Sequence, residues 1–212
     1  MDSEFWLNKW QVKEIGFHQS EANPLLVNYF EALHLDAGSR VFLPLCGKTL
    51  DIGWLLGSGY RVAGAELSEI AVDELFTELG VEPAITNNGS LKHYAANNID
   101  IFLGDIFTLS ANVLGPIDAI YDRAALVALP EGMRHRYTNY LMKITSTAPQ
   151  FLICFEYDQA AMAGPPFSID AQEVHQHYRD AYDLSCVAKV DVAGGLKGIC
   201  PADECVWLLL NR

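Results

Sequence analysis

The chain has 212 residues, half of them hydrophobic, enough to bury a full core within one domain spanning residues 1–212. It carries 27 acidic against 14 basic residues, a net charge of −13. That balance argues against nucleic-acid and anionic-membrane partners, which need basic surfaces. The start, Met1-Asp2-Ser3-Glu4, shows no basic and apolar leader, and no apolar run reaches the length of a membrane span. The five cysteines, at 46, 154, 186, 200 and 205, are odd in number and contain no C-x-x-C. The expectation is buried, reduced thiols in a cytoplasmic protein.

Residues 1–35 are expected to form an N-terminal lid and helix. Phe5-Trp6-Leu7-Asn8-Lys9-Trp10 and Phe17-His18-Gln19-Ser20 combine aromatic with polar residues. Trp6 reads as a core plug. Trp10 and Phe17 either plug the core as well or line a flat ligand, since aromatic faces stack on purines and attract sulfonium cations. The run from Pro24 to Phe30 is helical in period, with Leu26, Phe30 and Leu33 on one face.

The stretch from Val41 to Glu66 organises the rest. Val41 to Leu45 is a short apolar run, as expected of a strand buried on both faces. Gly47 breaks it where the chain must turn and a ligand can approach the backbone. Leu50 to Leu56 gives about two helical turns, stopped by Gly57 and Gly59. Arg61 to Ala65 forms a second strand, ending on Glu66. This is the layout of a nucleotide-binding βαβ unit, in which an acid about 20 residues past the glycine turn receives ribose hydroxyls. The usual G-x-G-x-x-G is absent, so a plain α/β turn with a surface Glu is the alternative.

Gly47-Lys48-Thr49 is not a P-loop, because Phe42 stands where the first loop glycine must be. A pyrophosphate also fits poorly: the turn has a single glycine, and Asp51 follows it. An acid there repels phosphate and tolerates a cationic or zwitterionic ligand. S-adenosylmethionine has that character, carrying adenosine, a sulfonium, an amino group and a carboxylate.

Further along, Ser68 caps a helix running to about Leu79, closed by Gly80. Residues 81–98, with Pro83, Asn87-Asn88-Gly89-Ser90 and Asn97-Asn98, read as an irregular surface excursion. Asp100 to Gly104 is a third strand. Asp105 and Ile106 follow it at the ligand edge, where Asp105 either meets an adenine amino group or caps a helix and Ile106 covers the ring. Ile117 to Tyr121 is a fourth strand, followed by Asp122 and Arg123. Asp122 either orients Arg123 or caps the next helix. Arg123, always charged and donating in a fork, is the residue to touch an electron-rich acceptor atom. A helix from Glu131 to Ile144, a strand from Phe151 to Tyr157, a helix capped by Ser168 or Asp170 and running to about Asp180, and strands over 182–192 and 206–210 complete the pattern. His175 and His177 lie two apart on a helix and point to different faces, so they do not form a metal pair. Cys46 has no base near it in sequence and reads as packing.

These stretches resemble the thiopurine S-methyltransferase family over nearly the whole chain. The resemblance is carried by Trp10 with Phe17-His18-Gln19, and by Leu43-Pro44-Leu45-Cys46-Gly47-Lys48 with Asp51. Gly64-Ala65-Glu66-Leu67-Ser68-Glu69 and Tyr121 to Pro130, with Arg134 and Tyr137, add to it. It implies an α/β, class I methyltransferase fold: a Rossmann-like, doubly wound, seven-stranded and mostly parallel sheet with the last strand antiparallel. It further implies that Trp10, Leu45, Glu66 and Arg123 contact S-adenosylmethionine, that Asp105 and Ile106 hold the adenine, and that Phe17 and Arg123 contact the acceptor. Around residues 194–205, Lys197 either takes the place of a second basic substrate residue or has no such role.

The implied activity is direct in-line methyl transfer to the sulfur of an aromatic or heterocyclic thiol, with Arg123 favouring the thiolate and S-adenosylhomocysteine leaving. A monomer acting on a small molecule, without metal, is expected. Two alternatives stay open: a methyltransferase for selenium or tellurium compounds, and a non-catalytic adenosyl-ligand binding protein. A dehydrogenase is more distant.

Overall fold

The computed structural model describes residues 3–212. Met1 and Asp2, at the head of the expected lid, lie outside the described residues. Helix α1 (Ser3–Gln11) is followed by α2 (Pro24–Tyr29), which Asn23 caps by accepting the N–H groups of Leu25 and Leu26. A 3₁₀ turn over Phe30–Leu33 continues it, and Leu26, Phe30 and Leu33 are buried as their spacing predicts.

Strand β1 (Arg40–Pro44) leads to α3 (Asp51–Gly57), β2 (Arg61–Glu66) and α4 (Glu69–Leu79). Ser68 caps α4 through its hydroxyl, and Gly80 closes it in the left-handed conformation at φ +68°. Then come β3 (Ala84–Asn88), β4 (Leu91–Ala96), β5 (Ile99–Leu103), the short α5 (Ala111–Leu114) and β6 (Ala119–Arg123). Helix α6 (Glu131–Ile144), β7 (Gln150–Tyr157), α7 (Ala171–Tyr178), β8 (Tyr182–Asp191) and β9 (Ala202–Asn211) complete the order.

The strands form one nine-stranded sheet in the order β3-β4-β5-β2-β1-β6-β7-β9-β8. Within it, β5-β2-β1-β6-β7-β9-β8 is the expected seven-stranded core. Strands β1, β2, β5, β6 and β7 pair in parallel, and β9 runs antiparallel to both of its neighbours. The hairpin β3–β4 is additional and corrects the reading of residues 81–98 as irregular. It pairs antiparallel with β5 through β4, and His93 stacks on Phe102 with ring centroids 4.7 Å apart. Both faces of β3 are exposed, so it lacks the apolar alternation that marks a strand.

Alternating side chains fill one core on each face of the sheet. Phe42, Ile120 and Leu152 pack with Tyr137 and Leu141 of α6 and Val174 and Tyr178 of α7. Val41, Leu43, Val62 and Tyr121 pack on the opposite face with Leu26, Phe30, Ile52, Leu55 and Phe76. Strands covered on both faces explain the near-continuous apolar runs. Among the described residues, no helix is long and apolar enough to cross a membrane.

Candidate active site

The chain order reverses direction between β1 and β6, and in an open α/β sheet the crevice at the carboxyl ends there is the ligand edge. The carboxyl ends of four neighbouring strands, β5, β2, β1 and β6, lie along this edge. The turn after β1 takes Leu45 to φ +50° and Gly47 to φ +54°. Leu45, unlike glycine, has a Cβ that makes this left-handed conformation unfavourable, and such strain collects at functional turns. The turn is fixed to β2 by the Cys46 N–H, which donates to the Ala65 carbonyl at 3.0 Å, and by the Gly47 N–H, which donates to Glu66 Oε2 at 2.6 Å.

Glu66 Oε1 also accepts the N–H groups of Leu67 and Ser68 at 2.7 and 2.8 Å. A carboxylate has about four acceptor positions, so three backbone donors leave one. Burial pushes the Glu66 carboxyl above its ordinary range, and the three N–H bonds only partly offset that. Beneath the turn, a Cβ on Gly64 would lie 2.8 Å from Cys46 Sγ and 2.6 Å from Ile101 Cδ1, so glycine lets the turn and strand approach. Burial and the neighbouring Glu66 push the Cys46 thiol up, which suits packing rather than nucleophilic attack.

Trp10 is buried over this turn, its ring edge 3.0 Å from where a Cβ on Gly47 would stand. Phe17, half-buried, meets Trp10 and Trp6 edge-on with centroids 5.6 Å away in each case. The segment is tied to α4 by an ion pair from Lys13 to Glu74. Lys48 of the turn pairs with Glu74 at 3.0 Å and Glu78 at 2.5 Å. The Glu78 bond, more than any other contact, raises the Lys48 ammonium above its ordinary range. His18 is lowered by burial and by Lys48.

After β5, Asp105 is exposed and accepts the Phe107 N–H at 2.9 Å, so it caps the 3₁₀ turn that carries buried Ile106. Both remain at the ligand edge.

Strand β6 is shifted two residues toward the carboxyl end from its apolar run, beginning at Ala119 and ending at Arg123. Asp122 and Arg123 lie within it, opposite Leu152 and Ile153 of β7. Successive strand side chains point to opposite faces, which separates their roles. Asp122 is fully buried and accepts Tyr137 Oη–H at 2.7 Å and the Leu126 N–H at 3.1 Å. It therefore caps and does not orient Arg123. Arg123 Nη1 instead approaches Asp51 Oδ2 at 3.4 Å. The next residue, Ala124, sits at φ +60°, a second strained non-glycine position at the edge.

Asp51, the acid that follows the turn, is enclosed. It is 1% exposed and accepts from Asn23 N–H at 2.7 Å and Tyr121 Oη–H at 2.9 Å, so it does not face a ligand. Asn23, Tyr121 and Glu204 complete this cluster and were not singled out by sequence. Burial raises the Glu204 carboxyl, while Arg123 pulls it down. Glu204 is the third residue of β9, two residues before the apolar run that marked that strand. Lys197 is engaged at the Pro165 carbonyl, at 2.7 Å, on the exposed side of its loop. His175 bonds the Ala171 carbonyl and His177 bonds Glu173, so the two take different partners.

Comparison with known proteins identifies the family. The family model described as thiopurine S-methyltransferase matches residues 1–205. A thiopurine S-methyltransferase of Xanthobacter autotrophicus is 55% identical over 210 residues, 99% of each chain. One from Teredinibacter turnerae is 52% identical over 209 residues, covering 99% of this chain and 97% of that one. A solved 1,6-didemethyltoxoflavin-N1-methyltransferase of Burkholderia thailandensis, with bound S-adenosylhomocysteine, shares the fold at a TM-score of 0.67. It is 14% identical and covers 99% of this chain and 87% of that one. The chain belongs to the thiopurine S-methyltransferase family.

Proposed function

We propose that this chain, a methyltransferase by its family, transfers the methyl group of S-adenosylmethionine to the sulfur of a small aromatic or heterocyclic thiol of the thiopurine class. The observation that carries the acceptor side is Arg123: a guanidinium held at the carboxyl end of β6, across the β1 turn from Glu66.

The donor set fits an adenosyl ligand. Glu66 keeps one acceptor position for a ribose hydroxyl. Lys48 is committed to two carboxylates and offers no free cation to a pyrophosphate. On this reading Trp10 and Leu45 enclose the ligand, Ile106 covers the adenine, and Asp105 receives its amino group. S-adenosylmethionine supplies a methyl group already activated on a sulfonium, ready for in-line displacement by a soft nucleophile.

The residues of the chain supply alignment and charge. Arg123 has five N–H donors, of which one approaches Asp51, so the others can steady the thiolate form of the acceptor. Phe17 presents a flat face to the acceptor ring. The net charge of −13 supports a small-molecule acceptor rather than nucleic acid.

The test is incubation with methyl-labelled S-adenosylmethionine and 6-mercaptopurine, with a calorimetric titration of S-adenosylhomocysteine alongside. Labelled methylthiopurine is expected. Cofactor binding without product on this or other aromatic thiols would overturn the acceptor, and no binding would overturn the whole assignment.

A further inference from the structure

Asp51 is a carboxylate that touches both halves of the site. Its Oδ2 accepts the Tyr121 hydroxyl at 2.9 Å and faces Arg123 Nη1 at 3.4 Å, and its Oδ1 accepts the Asn23 N–H at 2.7 Å. Tyr121 is the residue two before Arg123 on the same face of β6, and its ring is 2% exposed. Asn23 is buried and caps α2, ending the segment that carries Trp10 and Phe17. A carboxylate buried this deeply is tolerable only when its oxygens are met by donors, and here the donors come from two separate parts of the fold.

The geometry also limits what the pair can be. The contact from Arg123 is long, while those from Tyr121 and Asn23 are short. Asp51 is therefore pinned by its neutral partners and presents its charge to the guanidinium without saturating it. On the same side of the sheet stands Glu204, a competing acid. Without Asp51, the electrostatic preference of Arg123 shifts toward that second carboxylate.

We propose that Asp51 is a positioning residue, holding the Arg123 guanidinium toward the acceptor and locking the end of the N-terminal segment to it, so that segment closure and guanidinium placement form one event. This rests on the acceptor role of Arg123 argued above.

The test is a double-mutant cycle with 6-mercaptopurine as acceptor. Asp51→Asn keeps the shape and an acceptor oxygen but removes the charge. It is expected to lower kcat by about tenfold or more, with the S-adenosylhomocysteine Kd within about twofold of the parent protein. In an Arg123→Ala background the same substitution is expected to lower kcat no further, because Asp51 acts through Arg123. An equal further loss in that background means a merely structural role and overturns the proposal. A parental kcat for Asp51→Asn overturns it too.

Tyr121→Phe removes only the pinning hydroxyl and serves if Asp51→Asn does not fold. Its smaller kcat loss, about two- to fivefold, should also vanish in the Arg123→Ala background. If Arg123→Ala alone keeps the parental kcat, the acceptor assignment itself has failed, a separate result that also removes the basis for Asp51. Hydrogen exchange over residues 10–22 with S-adenosylhomocysteine bound reads the coupling without turnover. Asp51→Asn is expected to speed it about tenfold, and unchanged exchange overturns the link to the segment.

Discussion

Glu66 and Gly47, nineteen positions apart, are joined by one hydrogen bond of 2.6 Å from the Gly47 N–H to the Glu66 carboxylate. The acid that sequence spacing marks as a ribose acceptor thus also builds the turn beside it. Replacing it should damage both. Glu66→Ala leaves three backbone N–H groups without their acceptor and is expected to destabilise the protein by about 1–3 kcal/mol. It should weaken S-adenosylhomocysteine binding by tenfold or more, about 1.4 kcal/mol. Glu66→Gln places an NH₂ against N–H donors and should recover little of either. Urea denaturation and calorimetry check the two effects, and a native Kd in Glu66→Ala would remove Glu66 from ligand contact.

Gly47 itself is constrained twice. At φ +54° a Cβ is unfavourable, and here it would stand 3.0 Å from Trp10 Cζ2. Gly47→Ala is expected to cost about 1–2 kcal/mol from backbone strain and to push Trp10 off the turn. If the Trp10 contact matters, the second part must be non-additive: in a Trp10→Ala background, Gly47→Ala should cost less than it does alone. Equal costs in both backgrounds would show that only the backbone conformation objects.

The turn was legible because its constraints are local: an apolar strand, a glycine, a short helix and an acid at fixed spacing. Ser68 and Gly80 were legible as caps for the same reason. The network around Asp51 was not. Its partners Asn23, Tyr121 and Arg123 are brought together only by the sheet and by α2, so no sequence window contains them. The sequence consequently showed Asp51 as an acid following the turn but not its burial. The limits of β6 were hidden because Asp122 and Arg123 break the apolar run although their backbones still pair with β7. In the hairpin, Gly89 (φ +63°) opens the two-residue turn between β3 and β4, and Gly89-Ser90 was the available signal.

Asp122 predicts a pH dependence. Burial raises its carboxyl from the ordinary 3.8 to about 6, against the opposing pull of the Tyr137 and Leu126 bonds. The native state then binds this proton more tightly than the unfolded chain. Its contribution to stability is fully present below about pH 4 and is lost as pH rises through about 6, a change on the order of 3 kcal/mol. Asp122→Asn cannot titrate. Denaturant titrations at a series of pH values should show the parent losing stability relative to Asp122→Asn between about pH 4 and 6, with a constant difference above that. A difference that is flat across this range would contradict the raised pKa.

Arg134 should prove irreplaceable by lysine. It is 6% exposed, and its Nε and Nη2 reach both oxygens of Glu173, while Nη1 donates to the Leu129 carbonyl at 3.1 Å. Its guanidinium also lies over the Phe167 ring, 5.8 Å from the centroid. The Phe167 N–H in turn donates to the Val127 carbonyl at 2.7 Å, so one side chain ties α6 and α7 to the segments that follow β6 and β7. A lysine ammonium cannot serve the fork, the carbonyl and the ring together. Arg134→Lys is expected to lose about 2–3 kcal/mol of stability, and Arg134→Ala about 3–5 kcal/mol, because Glu173 loses its main cationic partner. Glu173→Gln made together with Arg134→Lys removes the uncompensated charge and should restore part of the loss, which thermal or urea unfolding of the four proteins would read directly. Glu66 bonds Gly47, Leu67 and Ser68, a set that shares no partner with Arg134, so the S-adenosylhomocysteine Kd of Arg134→Lys should stay within about twofold of the parent. A large change in that Kd would mean that the α6–α7 tie shapes the cofactor side as well.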